Sequence, residues 1–138
     1  MAIAYDPDNF FDYVLERERK LPPDEQTIWH LKTLSAREMA AVENSWQHKV
    51  SADEETPKGK NVSMNMNRGT MIVELLRRGL CGWDNLLDRK GKPVAFIPGE
   101  KGGFCNAKNI DRVDPTDRHE LAGAIEAGGK LDETDVKN

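Results

Sequence analysis

The stretch Arg77 to Phe96, RRGLCGWDNLLDRKGKPVAF, constrains this chain more than any other. Two arginines close an amphipathic segment, as suits the negative end of a helix. Gly79 then stands where helices commonly stop in left-handed backbone, with Leu80 folding back on Leu75. Gly82-Trp83-Asp84-Asn85 breaks the regular pattern, and Asp88-Arg89-Lys90-Gly91 has the composition of a turn. Pro93 to Ile97 reads as a short strand, at an edge because proline donates no hydrogen bond. A helix stop, a turn and a strand in one short run place the chain in the α+β class. The expectation is three to four helices with a small antiparallel β element, predominantly helical.

The remaining elements follow from local pattern. Asp6-Pro7-Asp8 suits a helix start. Phe10, Phe11, Val14 and Leu15 share one helical face, and Leu21-Pro22-Pro23 ends it. Residues 1–22 are therefore expected as an N-terminal helical extension. Thr27 to Leu34 alternates as a strand, with Thr27, Trp29, Leu31 and Thr33 on the buried side. Ser35 and Glu38 form a capping box before a helix whose stripe is Met39, Val42, Trp46 and Val50. Ser51 to Lys60 holds no apolar residue larger than alanine or proline, which predicts a flexible internal loop over 51–61. A second long helix is expected from Ser63 to Arg78, with Met71, Ile72, Leu75 and Leu76 inward and Gly69 weakening it by about 1 kcal/mol. Asp114-Pro115-Thr116-Asp117 starts a last helix with Leu121, Ala124 and Ile125 inward. Gly128-Gly129 ends it, leaving a loose polar tail over 129–138.

The length of 138 residues fits one domain, 1–138. A net charge of −4 argues against general nucleic-acid binding. No apolar run approaches the roughly 20 residues of a membrane span, and MAIAYDPDNFF lacks the regions of a secretory signal. Cys81 and Cys105, the two cysteines, read as reduced thiols in a cytosol, with a disulfide between them the alternative.

The sequence nominates no catalytic, cofactor-binding or metal-binding residue. His30, His48, His119, Cys81 and Cys105 stand singly, without the paired spacing of a zinc site. Any one of the three histidines could be imagined as a base for Cys81, but no local signature of a nucleophile supports it. Lys101 is misplaced for a phosphate loop in PGEKGG. The acidic positions 84 and 88 lack the closing glutamate of a calcium loop. Trp29 and Trp46 sit on core faces. Trp83 either plugs the core under the turn or anchors a partner, since aromatic residues concentrate interface energy.

Taken in order, these segments resemble the small tail-assembly chaperones and related tail-module proteins of tailed phages and prophages. The resemblance runs from Trp29 to Ile125. It rests on a strand and leucine-serine before the capped helix (His30 to Glu38), a helix ending Arg78-Gly79-Leu80, and Gly82-Trp83-Asp84-Asn85-Leu86. The Asp88–Gly91 turn with Val94-Ala95-Phe96, and Glu120-Leu121-Ala122-Gly123-Ala124-Ile125, complete it. Leu86 stands where the family usually has an aromatic, and an extra Leu87 follows.

The resemblance implies a non-enzymatic holdase of the bacterial host cytoplasm that holds tape-measure and tail-tube proteins during tail morphogenesis, homo-oligomerisation being open. Contact residues would be Trp83, Leu86, Leu87 and Phe96, with Met64 and Met66 as an adaptable surface. Met39 and Met71 fit either that surface or the core. A virion component (a head–tail or baseplate adaptor) is the alternative reading. A small regulatory or DNA-associated phage protein is the third.

Overall fold

The central strand, β2 (Ile28–Lys32), organises the chain because its two faces differ in character. Thr27, Trp29, Leu31 and Thr33 are all buried, as the period-two pattern predicts. The computed structural model describes residues 1–4, 9–53, 59–99 and 104–137, with the backbone course alone over 46–53, 59–67 and 129–137.

β1 (Phe10–Tyr13) and β3 (Leu80–Asp84) flank β2, both antiparallel, in the order β1-β2-β3. Tyr13 lies opposite Trp29 in one ladder, and Trp83 lies opposite Trp29 in the other. The second ladder shifts register between His30 and Leu31, so that Leu31 faces Leu80 while His30 faces Gly82. Cys81 is the extra residue of this bulge. The bulge puts both Leu80 and Trp83 on the core face, although three positions separate them.

Four helices are described: α1 (Ala36–Asp53), α2 (Gly59–Gly79), α3 (Ala107–Asp111) and α4 (Pro115–Lys137). With the three-stranded antiparallel sheet they make the α+β class expected. Helix takes up just under half of the 138 residues, so the helical majority expected is not reached. α1 packs along α2, and α2 along α4. The capping box of α1 is reciprocal: Ser35 N–H donates to Glu38 Oε1 and Glu38 N–H to Ser35 Oγ, both at 3.2 Å. The core joins Trp29 and Leu31 to Val42, Leu75, Leu76, Leu80, Leu121 and Ile125.

Several expectations are corrected. The segment expected as an N-terminal helix carries β1 and a 3₁₀ turn, Glu16–Glu18; the cap Asp6 to Asp8 lies outside the described residues. Phe-Phe-Asp-Tyr is aromatic and pairs readily with β2, and its alternate residues Phe11 and Tyr13 pack on the core. Of the loop expected over 51–61, residues 51–53 continue α1 and 59–61 begin α2, since a polar composition does not itself stop a helix; 54–58 lie outside the described residues. α4 runs through Gly128 to Lys137 in place of the loose tail.

Gly79 is helical and passes straight into β3, with no left-handed stop. The strand expected over Pro93 to Ile97 is a single bridge, Leu87 to Pro93, closed by Val94 N–H donating to Leu86 O at 2.7 Å. Beyond it, the buried Asn109 side chain substitutes for a neighbouring strand. Its Oδ1 accepts from Ile97 N–H at 2.8 Å and its Nδ2 donates to Ile97 O at 2.9 Å.

Candidate functional site

Gly82 to Phe96 forms the end of β3 and the hairpin that follows it, and its conspicuous residues have structural tasks. Gly82 faces the His30 ring, where a β-carbon would stand 3.4 Å from Cδ2. Trp83 is buried, edge-on to Trp29 with ring centroids 5.8 Å apart, and edge-on to Phe96 at 4.8 Å. Its indole N–H donates to Val94 O at 2.7 Å, fastening the returning limb of the hairpin. Of its two candidate roles, the plug beneath the turn is therefore the one built.

Asn85 takes the left-handed backbone that asparagine tolerates (φ 64°). Its amide donates to Asp24 O and Gln26 O at 3.0 and 3.1 Å, tying β3 to the turn before β2. The Asp88–Gly91 turn forms as expected: Gly91 N–H donates to Asp88 O at 3.0 Å and Gly91 has φ 78°. Asp88 Oδ1 accepts from Lys90 N–H at 2.8 Å and from Lys92 N–H at 3.0 Å.

The hairpin walls a groove of about 760 Å³. The opposite wall is the corner between α3 and α4, Asp111 to Arg118, and Trp29 contributes to the lining. Leu86 is half-buried against the core, while Leu87 is 50% exposed on the groove wall. Arg89, Lys90 and Arg112 stand exposed around it.

Asp111 is a further exposed charge of the lining, and the remaining charges in the groove have structural duties. Arg17 binds buried Asp117 with both guanidinium arms, one of them at 2.9 Å, and this bond holds its pKa above the ordinary range. Asp114 Oδ1 accepts from Thr116 N–H at 2.9 Å at the start of α4, and Arg118 Nε donates to Ile110 O at 3.1 Å. The indole nitrogen of Trp29 is buried without an acceptor among the described residues.

Of the six predicted contact residues, Trp83, Leu86, Leu87 and Phe96 gather at this hairpin. Only Leu87 presents half its surface outward. Met64 and Met66 lie on α2, their side chains outside the described residues. Met39 and Met71 are partly buried against the core. Sequence reasoning missed Arg17, Asp117, Arg112 and Arg118. Arg17 and Asp117 pair across 100 positions of sequence, whereas Arg118 reaches Ile110 O only 8 residues back; the one local signal was the Asp114-Pro115 helix start.

Neither histidine nor cysteine lines the groove among the described residues. No cluster of three or more acidic, histidine or cysteine residues that could hold a metal is present among them. No described helix is long and apolar enough to cross a membrane. The arrangement offers apolar contact and exposed side chains of both charges, Asp111 and Asp114 beside Arg89, Lys90 and Arg112. Comparison with protein-family models, with curated proteins and with solved structures gives no match.

Proposed function

We propose that the protein is a non-enzymatic tail-assembly chaperone of a tailed phage or prophage. In the host cytoplasm it would hold the tape-measure protein or tail-tube subunits before they polymerise. One structural observation supports this reading: the exposed Leu87 beside Leu86, set on a groove rimmed by Arg89, Lys90 and Arg112. A tape-measure chain is a long helix with an apolar stripe, and such a stripe can lay its leucines against Leu87 while its acidic flanks meet the cations. The ordered segments from Trp29 to Ile125 supply the link to phage tails.

The test is co-expression with the tape-measure and tube proteins of the genome that carries this chain. The expected result is a complex with one of them that the Leu87→Asp variant fails to form. No complex with either protein overturns the reading. Mass spectrometry of mature virions tests the adaptor alternative: a chaperone is absent from them, whereas a fixed copy number there replaces the chaperone with a virion component.

A further inference from the structure

We propose that His30 is a proton-operated clamp, tying both edge strands to β2 when charged and letting go of β3 when neutral. The ring sits mid-strand on the face of the sheet opposite the core, directly across from Asp12 of β1. Across β3 its partner is Gly82, and the missing side chain leaves the ring free to lie over that strand towards Asp84. Nδ1 is 2.7 Å from Asp12 Oδ1, and Nε2 is 2.9 Å from Asp84 Oδ2.

A carboxylate only accepts, so both nitrogens bond in this geometry only when both carry protons. Removing one proton turns a ring lone pair towards a carboxylate. The Asp12 contact is the shorter and the stronger influence on the ring, so the remaining proton stays on Nδ1 and the Asp84 tie is the one lost.

The surroundings allow this to operate. Among the described residues, Asp12 and Asp84 are the charged groups acting on the ring, and its partial burial opposes them. Lys32, next along β2 on the same face, is turned to Glu38 at 3.5 Å. The three side chains are 37%, 68% and 70% exposed, so protons exchange freely with solvent. The two carboxylates raise the histidine pKa above its usual range of about 6.5. The double tie is therefore complete below about pH 6.5 and disappears as pH rises through the higher folded value. Asp84 adjoins Trp83 and Asn85, so the release acts on the strand that leads into the groove wall.

Long-range ¹H–¹⁵N NMR of the full chain between about pH 5 and 9 tests the clamp, with His48→Gln and His119→Gln used only for assignment. His30 is expected to titrate above about 6.5 and to become the Nδ1–H tautomer. Amide protection at Gly82 to Asp84, taken relative to the intrinsic exchange rate at each pH, is expected to fall above the midpoint. Asp84→Asn should lower the midpoint, and adding Asp12→Asn should return it to the ordinary range. Titration of wild-type His30 at or below the ordinary value overturns the proposal, as does a midpoint unmoved by Asp84→Asn, or a neutral ring protonated at Nε2. The wild-type titration decides even where the double variant does not fold.

Discussion

Gly79 of α2 rests so closely on Ile125 of α4 that a β-carbon at position 79 would lie 2.6 Å from Ile125 Cγ2 and 2.7 Å from its Cδ1. Both side-chain atoms belong to a core residue that is 1% exposed, so the isoleucine has nowhere to go. Gly79→Ala is expected to destabilise the fold by about 1–3 kcal/mol through overpacking, despite the better helix propensity of alanine. Pairing it with Ile125→Ala, which removes Cγ2, Cδ1 and Cγ1 together, should cost less than the two single changes added. Denaturant melts of the four proteins check the coupling, and strictly additive changes would remove the contact from the account.

Trp83 separates packing from hydrogen bonding. Trp83→Phe keeps an aromatic ring between Trp29 and Phe96 but loses the bond to Val94 O, a loss of about 1 kcal/mol. Trp83→Ala empties the space beneath the hairpin, a loss of about 3–5 kcal/mol, which is a large share of the ~5–15 kcal/mol that holds a domain folded. Melting temperatures should fall in that order.

What was legible in the sequence was what local period decides. Thr27, Trp29, Leu31 and Thr33 alternate into the core, Leu75 and Leu76 fall on the buried stripe of α2, and Ser35 and Glu38 cap each other. What escaped depends on distant partners. Phe10 and Phe11 fit a helical face as well as a strand, and the ladder to β2 decided between them, leaving Phe10 67% exposed. Gly79 looked like a helix stop because glycine serves both left-handed turns and close approach, and only Ile125 tells which. The groove draws on Arg17, Trp29, Leu86 to Lys90, Val94 and Asp111 to Arg118, segments that no local pattern connects. The GWDN segment was visible as a signal, yet its tryptophan and asparagine serve the fold, and the outward side chain is the less conspicuous Leu87.

Asn109, fully buried, acts as a strand for Ile97, and its amide needs both ends. Asn109→Ala removes both hydrogen bonds to Ile97 and the longer one to Cys105 Sγ, a loss of about 2 kcal/mol. Asn109→Asp keeps the shape but sets a carboxylate against Ile97 O. That buried acid should have its pKa raised above about 3.9, because only its protonated form can donate to the carbonyl. The stability deficit relative to wild type, measured by urea unfolding at several pH values, is therefore smallest in acid and grows as pH rises through the folded pKa. A deficit that does not change with pH would contradict this.

The Tyr13 hydroxyl donates to Glu120 Oε2 at 2.7 Å, and Glu16 N–H donates to the same oxygen at 3.0 Å, joining β1 and the following turn to α4. Burial, followed by the bond to Glu120, pushes the phenol up to about 12. A phenol whose folded pKa exceeds its unfolded value of about 10 favours the native state fully below pH 10. That contribution is lost as pH rises from about 10 to about 12. Absorbance at 295 nm, wild type minus Tyr13→Phe, should show the Tyr13 transition near the upper value. A transition at the ordinary value would mean that the link to Glu120 is not formed in solution.

Leu87 offers the converse of Trp83. With half its surface outside, its replacement removes little buried area, and Leu87→Ser should change stability by no more than about 0.5 kcal/mol, as surface substitutions do. Its neighbour Leu86 packs against the core, so Leu86→Ser should destabilise measurably. If the groove receives a tape-measure helix, Leu87→Ser weakens that complex while the melting temperature stays put. Calorimetric unfolding and co-purification on the same preparations check both halves. A large loss of stability from Leu87→Ser would mean that the side chain belongs to the core, and the groove would then have no exposed leucine to offer.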